Sequence, residues 1–97
     1  MPRLIWSPPA LRAIAQRYKF LKDKNPEAAK RAIGAIRQGV KLLADHPQAG
    51  RPMDDMPLEF REWPVSFGAG GYVVFYRFDE SDITILNVKH NREMGYS

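Results

Sequence analysis

The chain has 97 residues, no cysteine, 44% hydrophobic residues and a formal net charge of +4. That length sets one domain over residues 1–97 with a limited core, and the apolar fraction excludes wholesale disorder. The missing thiols exclude disulfides, thiolate metal sites and a cysteine nucleophile, in keeping with a reducing cytoplasm. No apolar run reaches the length of a signal peptide or a membrane span, so a cytoplasmic protein with no membrane partner is expected. The modest positive excess suits either nucleic acid or an acidic protein partner and does not choose between them.

The first element is a short apolar strand, Arg3-Leu4-Ile5-Trp6. Ser7 before Pro8 then marks a helix start, with Ser as the cap and Pro where no amide donor is needed. Leu11, Ile14, Ala15, Tyr18 and Leu21 recur at helical spacing, which predicts an amphipathic helix ending near Asp23 or Lys24. Asn25-Pro26-Glu27 repeats the start signal. Ala29, Ala32, Ile33, Ile36, Val40 and Leu43 form a second stripe, with Lys30, Arg37 and Lys41 on the opposite side and His46-Pro47 as the stop. Gly39 inside that helix reads as a close-packing or bending position.

Residues 47–57, with Pro47, Gly50, Arg51, Pro52 and Pro57, read as loop. The period then changes to two. Phe60, Glu62 and Pro64 alternate with Arg61, Trp63, Val65 and Phe67, a strand expected to be distorted at Pro64. Gly68-Ala69-Gly70-Gly71 makes a hairpin turn. Tyr72 to Phe78 is apolar on both faces and therefore central in its sheet. Asp79 to Asp82 turns the chain, and Ile83 to Val88 forms the last strand. The order implies an α+β domain: an N-terminal strand, an antiparallel helical hairpin, then a three-strand antiparallel meander packed against the helices.

Few residues are placed to carry chemistry. His90, Arg92 and Tyr96 put an imidazole, a guanidinium and a phenol close together after the last strand, the groups that proton transfer and phosphate-charge stabilisation would use. The structural alternative has His90 and Arg92 bonding to the Gly50-Arg51-Pro52 loop and holding the sheet edge. Arg61 and Arg77 lie on neighbouring strands and, converging on one face, would form a phosphate clamp. Equally, they would form salt bridges to Glu59, Glu62, Asp79 or Glu93. Lys30, Arg37 and Lys41 are read as a solvated face, and Trp6, Trp63, Tyr72, Phe75 and Tyr76 as core. The two histidines lie far apart with no ligand spacing, so no metal is expected, and no glycine loop precedes a helix to hold a nucleotide. No cofactor is expected.

The ordered set Trp6-Ser7-Pro8, Asn25-Pro26, His46-Pro47, Gly50-Arg51-Pro52, Phe60-Arg61-Glu62-Trp63, Gly71 to Arg77 and Ile85 to Arg92 resembles the RelE/ParE superfamily of type II toxin–antitoxin toxins over nearly the whole chain. The resemblance implies the small fold above, a cognate antitoxin as partner, a dimer or higher toxin–antitoxin assembly, and toxicity when the antitoxin is removed. RelE-like members are ribosome-dependent mRNA endoribonucleases, and carrying their site over gives Arg61, Arg77, His90, Arg92 and Tyr96. Two cationic positions of that site are Trp63 and Val73 here, which disfavours the ribonuclease reading. The Gly50-Arg51-Pro52, Tyr76-Arg77 and His90-Asn91-Arg92 segments look more like ParE, whose resemblance implies inhibition of DNA gyrase with no catalytic residues. The alternatives are a ribonuclease acting on ribosome-bound mRNA and a non-toxic, antitoxin-binding member. The antitoxin is expected on the sheet edge and the helical hairpin.

Overall fold

The computed structural model describes residues 2–68 and 70–91. Strand β1 (Arg3–Trp6) leads into helices α1 (Pro8–Lys24) and α2 (Pro26–Asp45). A two-residue strand β2 (Arg51–Pro52) precedes β3 (Phe60–Phe67), β4 (Gly70–Phe78) and β5 (Asp82–His90). Both helix starts form as their sequence signals predict. The Ser7 hydroxyl accepts the Ala10 amide at 3.3 Å, and the Asn25 side chain accepts that of Ala28 at 3.2 Å. Asn25 also ends α1, since its own N–H donates to the Leu21 carbonyl at 2.7 Å. One residue thus closes one helix and opens the next, which forces them into a tight hairpin.

The sheet runs β1-β5-β4-β3-β2. The meander β3-β4-β5 is antiparallel as expected, with β4 central. The sheet as a whole is mixed, because β1 pairs parallel with β5, placing Leu4 beside Ile83 and Trp6 beside Ile85. That pairing turns Leu4 and Trp6 towards the core, where they pack on the buried residues. Arg51–Pro52, expected as loop, is a short edge strand antiparallel to Glu62 and Arg61. The Pro and Gly around it conceal so short a strand from any periodicity test. Pro64, expected to distort β3, does not shift the register, which runs unbroken from Phe60 opposite Arg77 to Phe67 opposite Gly70. Strand β2 reaches only Arg61 and Glu62, so Pro64 has its missing donor on an edge that β2 leaves open. The irregularity falls instead between Phe75 and Tyr76, where β5 inserts an extra residue.

Both helices lie on one face of the sheet. Ala10, Ala32, Ile36, Val40 and Leu43 meet Val65, Tyr72, Val74, Tyr76, Ile83, Ile85 and Val88 in the core. Gly39 is a close-packing position: a Cβ there would stand 2.7 Å from a Val65 methyl. Beside it the Trp63 indole N–H donates to the Gly39 carbonyl at 3.1 Å, so the ring's polar atom is satisfied where α2 crosses β3. On the other face Val73 and Phe75 are buried as well, between Glu62 and Pro64 of β3 and Asn87 and Lys89 of β5. Among the described residues no helix is long and apolar enough to cross a membrane.

Candidate functional site

The alternation of a strand decides where the singled-out cations point. Arg61 lies opposite Tyr76, and Arg77 lies opposite Phe60. Tyr76 is on the helix-facing side with the core, so Arg61 is too, while Arg77 faces away. Of the two readings held equal for this pair, the convergence of Arg61 and Arg77 on one face does not occur, because their register partners are adjacent residues and adjacent residues face opposite sides. The Arg61 guanidinium donates to the carbonyls of Gln48 at 3.2 Å and Gly50 at 2.8 Å. Arg77 lies 3.3 Å from Asp79 and 3.8 Å from Glu59. Glu62, offered as a partner for either, pairs with Arg51 instead.

His90 stands opposite Tyr72, its ring edge-on at 5.4 Å between centroids and 88° between planes. It shares Arg61's face, but Tyr72 and Tyr76 are four residues apart along β4, about 13 Å at ~3.3 Å per residue. Arg92 and Tyr96, the other two candidates, lie outside the described residues, as does Glu93. Of the ribonuclease set, the three described members are therefore placed apart. Among the described residues no three His, Cys, Asp or Glu side chains gather as a metal site would need.

The Gly50-Arg51-Pro52 segment is held by the core. The buried Tyr76 hydroxyl accepts the Gly50 amide at 2.9 Å and donates to the Pro47 carbonyl at 2.8 Å. Burial pushes the Tyr76 phenol up from its ordinary value, with the Gly50 amide and the Arg61 charge acting against that. A Cβ on Gly50 would meet the Tyr76 oxygen at 2.4 Å and the Glu62 carbonyl at 2.8 Å, so only glycine fits. Tyr76, Arg61 and Gly50 thus form one satisfied network that pins the loop after α2 to the sheet.

The open surface lies on the helical hairpin. A groove of about 450 Å³ is lined by Leu4, Trp6, Leu11, Ile14, Gly34 and Arg37, among others. It continues along the hairpin into a second groove of about 540 Å³, where Tyr18, Lys30 and Ile33 join the lining. Leu11 is 54% exposed there, a large apolar side chain left in water. A Cβ on Gly34 would meet nothing within 4 Å, so this glycine leaves the channel open. Lys30 and Arg37 border the second groove, and Arg37 and Lys41 the first. The sequence pattern alone makes these cations a solvated face and gives Gly34 no role. The missed signal was Leu11 and Ile33 at apolar positions beside a helical glycine and three cations.

A smaller cavity of about 370 Å³ opens on the helix-free face, lined by Arg51, Glu62, Pro64, Ser66, Gly71 and Asn91, among others. Gly71 shapes it, since a Cβ there would stand 2.4 Å from the Val65 carbonyl.

A short parallel strand, a helical hairpin and an antiparallel meander in one small mixed sheet make up the α+β architecture of the RelE/ParE superfamily of toxins. The family model described as the ParE toxin of the parDE type II toxin–antitoxin system matches residues 4–95, and the chain belongs to that family. It is 36% identical to toxin RelE3 of Caulobacter vibrioides, over 89% of this chain and 90% of that one. It is 30% identical to Y4kP of Sinorhizobium fredii, over 91% of this chain and 86% of that one. Among solved structures it matches one from the chromosomal ParDE system of P. aeruginosa, with a TM-score of 0.74 and 25% identity, covering 93% and 96% of the two chains.

Proposed function

We propose that this toxin inhibits DNA gyrase without chemistry of its own, and that a cognate antitoxin neutralises it by laying an acidic amphipathic segment along the hairpin groove. The observation that carries the first half is the separation of Arg61, Arg77 and His90. Charge on a phosphorane-like transition state is stabilised by donors aimed at one place. Here Arg61 donates to loop carbonyls on one face, while Arg77 is held by carboxylates on the other. The likeness to the ParE branch supports the same reading. The second half rests on the groove itself, whose apolar floor and cationic rim suit a helix with apolar residues on one stripe and carboxylates beside it.

The test is the purified chain with gyrase and supercoiled plasmid, and in parallel with a ribosome-bound message, each with and without antitoxin. Linearised plasmid or blocked supercoiling with intact message, relieved by antitoxin, supports the proposal. Cleaved message with gyrase unaffected overturns it.

The ribonuclease reading is kept for one reason: a relative at 36% identity carries the name RelE3. In that case Arg92→Ala abolishes message cleavage. A member without toxicity is inert in both assays and still binds antitoxin.

A further inference from the structure

A second surface lies on the flank of α1 turned away from α2. Ala13, Gln16, Arg17 and Phe20 face Asn87, Val88 and Lys89 of β5 across a groove of about 380 Å³. Phe20 is 52% exposed. The Lys24 Nζ lies 4.5 Å from its ring centroid, and the Arg17 guanidinium carbon lies 5.9 Å from it and 5.9 Å from the Tyr72 ring. Among the described residues no carboxylate lines this groove. Strand β1 covers β5 only from Asp82 to Ile85, so it does not close off the flank at Asn87 to Lys89.

The distribution of charge points to the same place. Residues 8–45, the two helices and their joint, hold nine Lys and Arg against three Asp and Glu, whereas the rest of the chain holds six against eight. The chain's positive excess therefore belongs to the helices, and α1 has five cations to the single carboxylate of Asp23. A peptide adding as a strand to β5 is poorly served here, because the Val88 amide is already taken by the Asn87 side chain at 2.8 Å.

We propose that this flank binds single-stranded nucleic acid, with Lys89 on a phosphate, the Lys24 ammonium moving off the Phe20 ring onto another, and Phe20 then stacked under an unpaired base. A cationic groove that follows a backbone, with an aromatic ring that any base can stack on, is how single strands are held without sequence preference. Bases inside a duplex are not available to Phe20, so the ring is what separates single strands from duplex. The site goes beyond the gyrase proposal and does not depend on it, since neither the antitoxin groove nor the target enters the argument.

The test is fluorescence anisotropy of the full-length chain, with no gyrase or ribosome present, against labelled oligo(dT), oligo(U) and a mixed-sequence duplex of about 20 nucleotides per strand, longer than one such site. Titrations at roughly 50 and 200 mM salt give the number of phosphate contacts. Single strands are expected to bind more tightly than duplex, and Phe20→Ala to weaken them about tenfold while leaving duplex affinity unchanged. Lys24→Glu with Lys89→Glu should weaken single-strand binding at low salt and flatten the slope of log affinity against log salt by about one or more. These side chains are exposed or border an open groove, and circular dichroism of each variant verifies the fold. Absence of binding at low salt overturns the proposal, as does equal affinity for duplex and single strand with Phe20→Ala silent. So does a double variant that keeps oligonucleotide binding and loses only the antitoxin, which would make the flank a protein surface.

Discussion

Two glycines one turn of the fold apart in role, Gly50 and Gly34, divide the molecule. Gly50 sits where nothing larger fits: the Tyr76 hydroxyl and the Glu62 carbonyl occupy the space of its absent side chain. Gly34 sits where nothing is near, on the open side of the helical hairpin. Around Gly50 the polar groups are used up internally, with Tyr76 bridging Pro47 and Gly50 and Arg61 donating to Gln48 and Gly50. Around Gly34 the cations Lys30, Arg37 and Lys41 flank apolar surface that the described residues leave uncovered. The segment that looks most like a motif is thus used to hold the loop, and the face that looks like ordinary solvated helix carries the groove proposed for the antitoxin.

The comparison is broken most directly at Gly50. Gly50→Ala forces backbone or ring to move and disturbs the Tyr76 bond, and should destabilise the protein by about 3 kcal/mol. Since each kcal/mol moves the midpoint by roughly 4–8 °C in a domain of this size, a thermal melt reads it easily. An unchanged melting temperature would mean the loop is not pinned as described. Tyr76→Phe keeps the ring and removes both hydrogen bonds, leaving the Gly50 amide and the Pro47 carbonyl without this partner. A loss of about 1–3 kcal/mol by denaturant titration is expected.

Gly34 should respond in the opposite way. Gly34→Ala has the space it needs and gains helix propensity, so stability should rise by roughly 0.5–1 kcal/mol. Gly34→Trp should leave the melt near wild type and weaken antitoxin binding tenfold or more, about 1.4 kcal/mol by calorimetry. If Gly34→Trp binds antitoxin as well as the parent does, the hairpin groove is not the neutralising site.

Much of the fold was legible because it rests on local signals. Ser7, Asn25 and His46-Pro47 set the helix ends, and the two apolar stripes set the faces that meet the sheet. What was not legible depends on register. Whether Arg61 and Arg77 share a face depends on which residue of β4 each stands beside, and the sequence of one strand does not contain that. The parallel placement of β1 is likewise a pairing between residues some eighty positions apart, with Arg3 beside Asp82. The candidate site was hidden for a different reason. Lys30, Arg37 and Lys41 were found, but their meaning depends on Leu11 and Ile33 being left exposed or half-covered between two helices, a packing outcome and not a pattern.

The turn before β5 gives the smallest effect and extends the comparison from glycines to acids. Asp79 accepts the amides of Ser81 at 3.0 Å and Asp82 at 2.8 Å, with Arg77 at 3.3 Å. The Ser81 amide, then that of Asp82, holds its carboxyl below the ordinary carboxylate value, and the Arg77 charge adds less. A carboxyl depressed by folding stabilises fully above its unfolded value, and that contribution fades as pH falls through the lower, folded value. Asp79→Ala should therefore melt below wild type at neutral pH, and the gap should close in acid below the usual carboxylate range. Because the two amides outweigh the neighbouring Arg77 charge, most of the gap at neutral pH should also survive added salt. A gap that vanishes in salt at neutral pH would assign the effect to Arg77, and a gap independent of pH would show that ionisation plays no part in holding the turn.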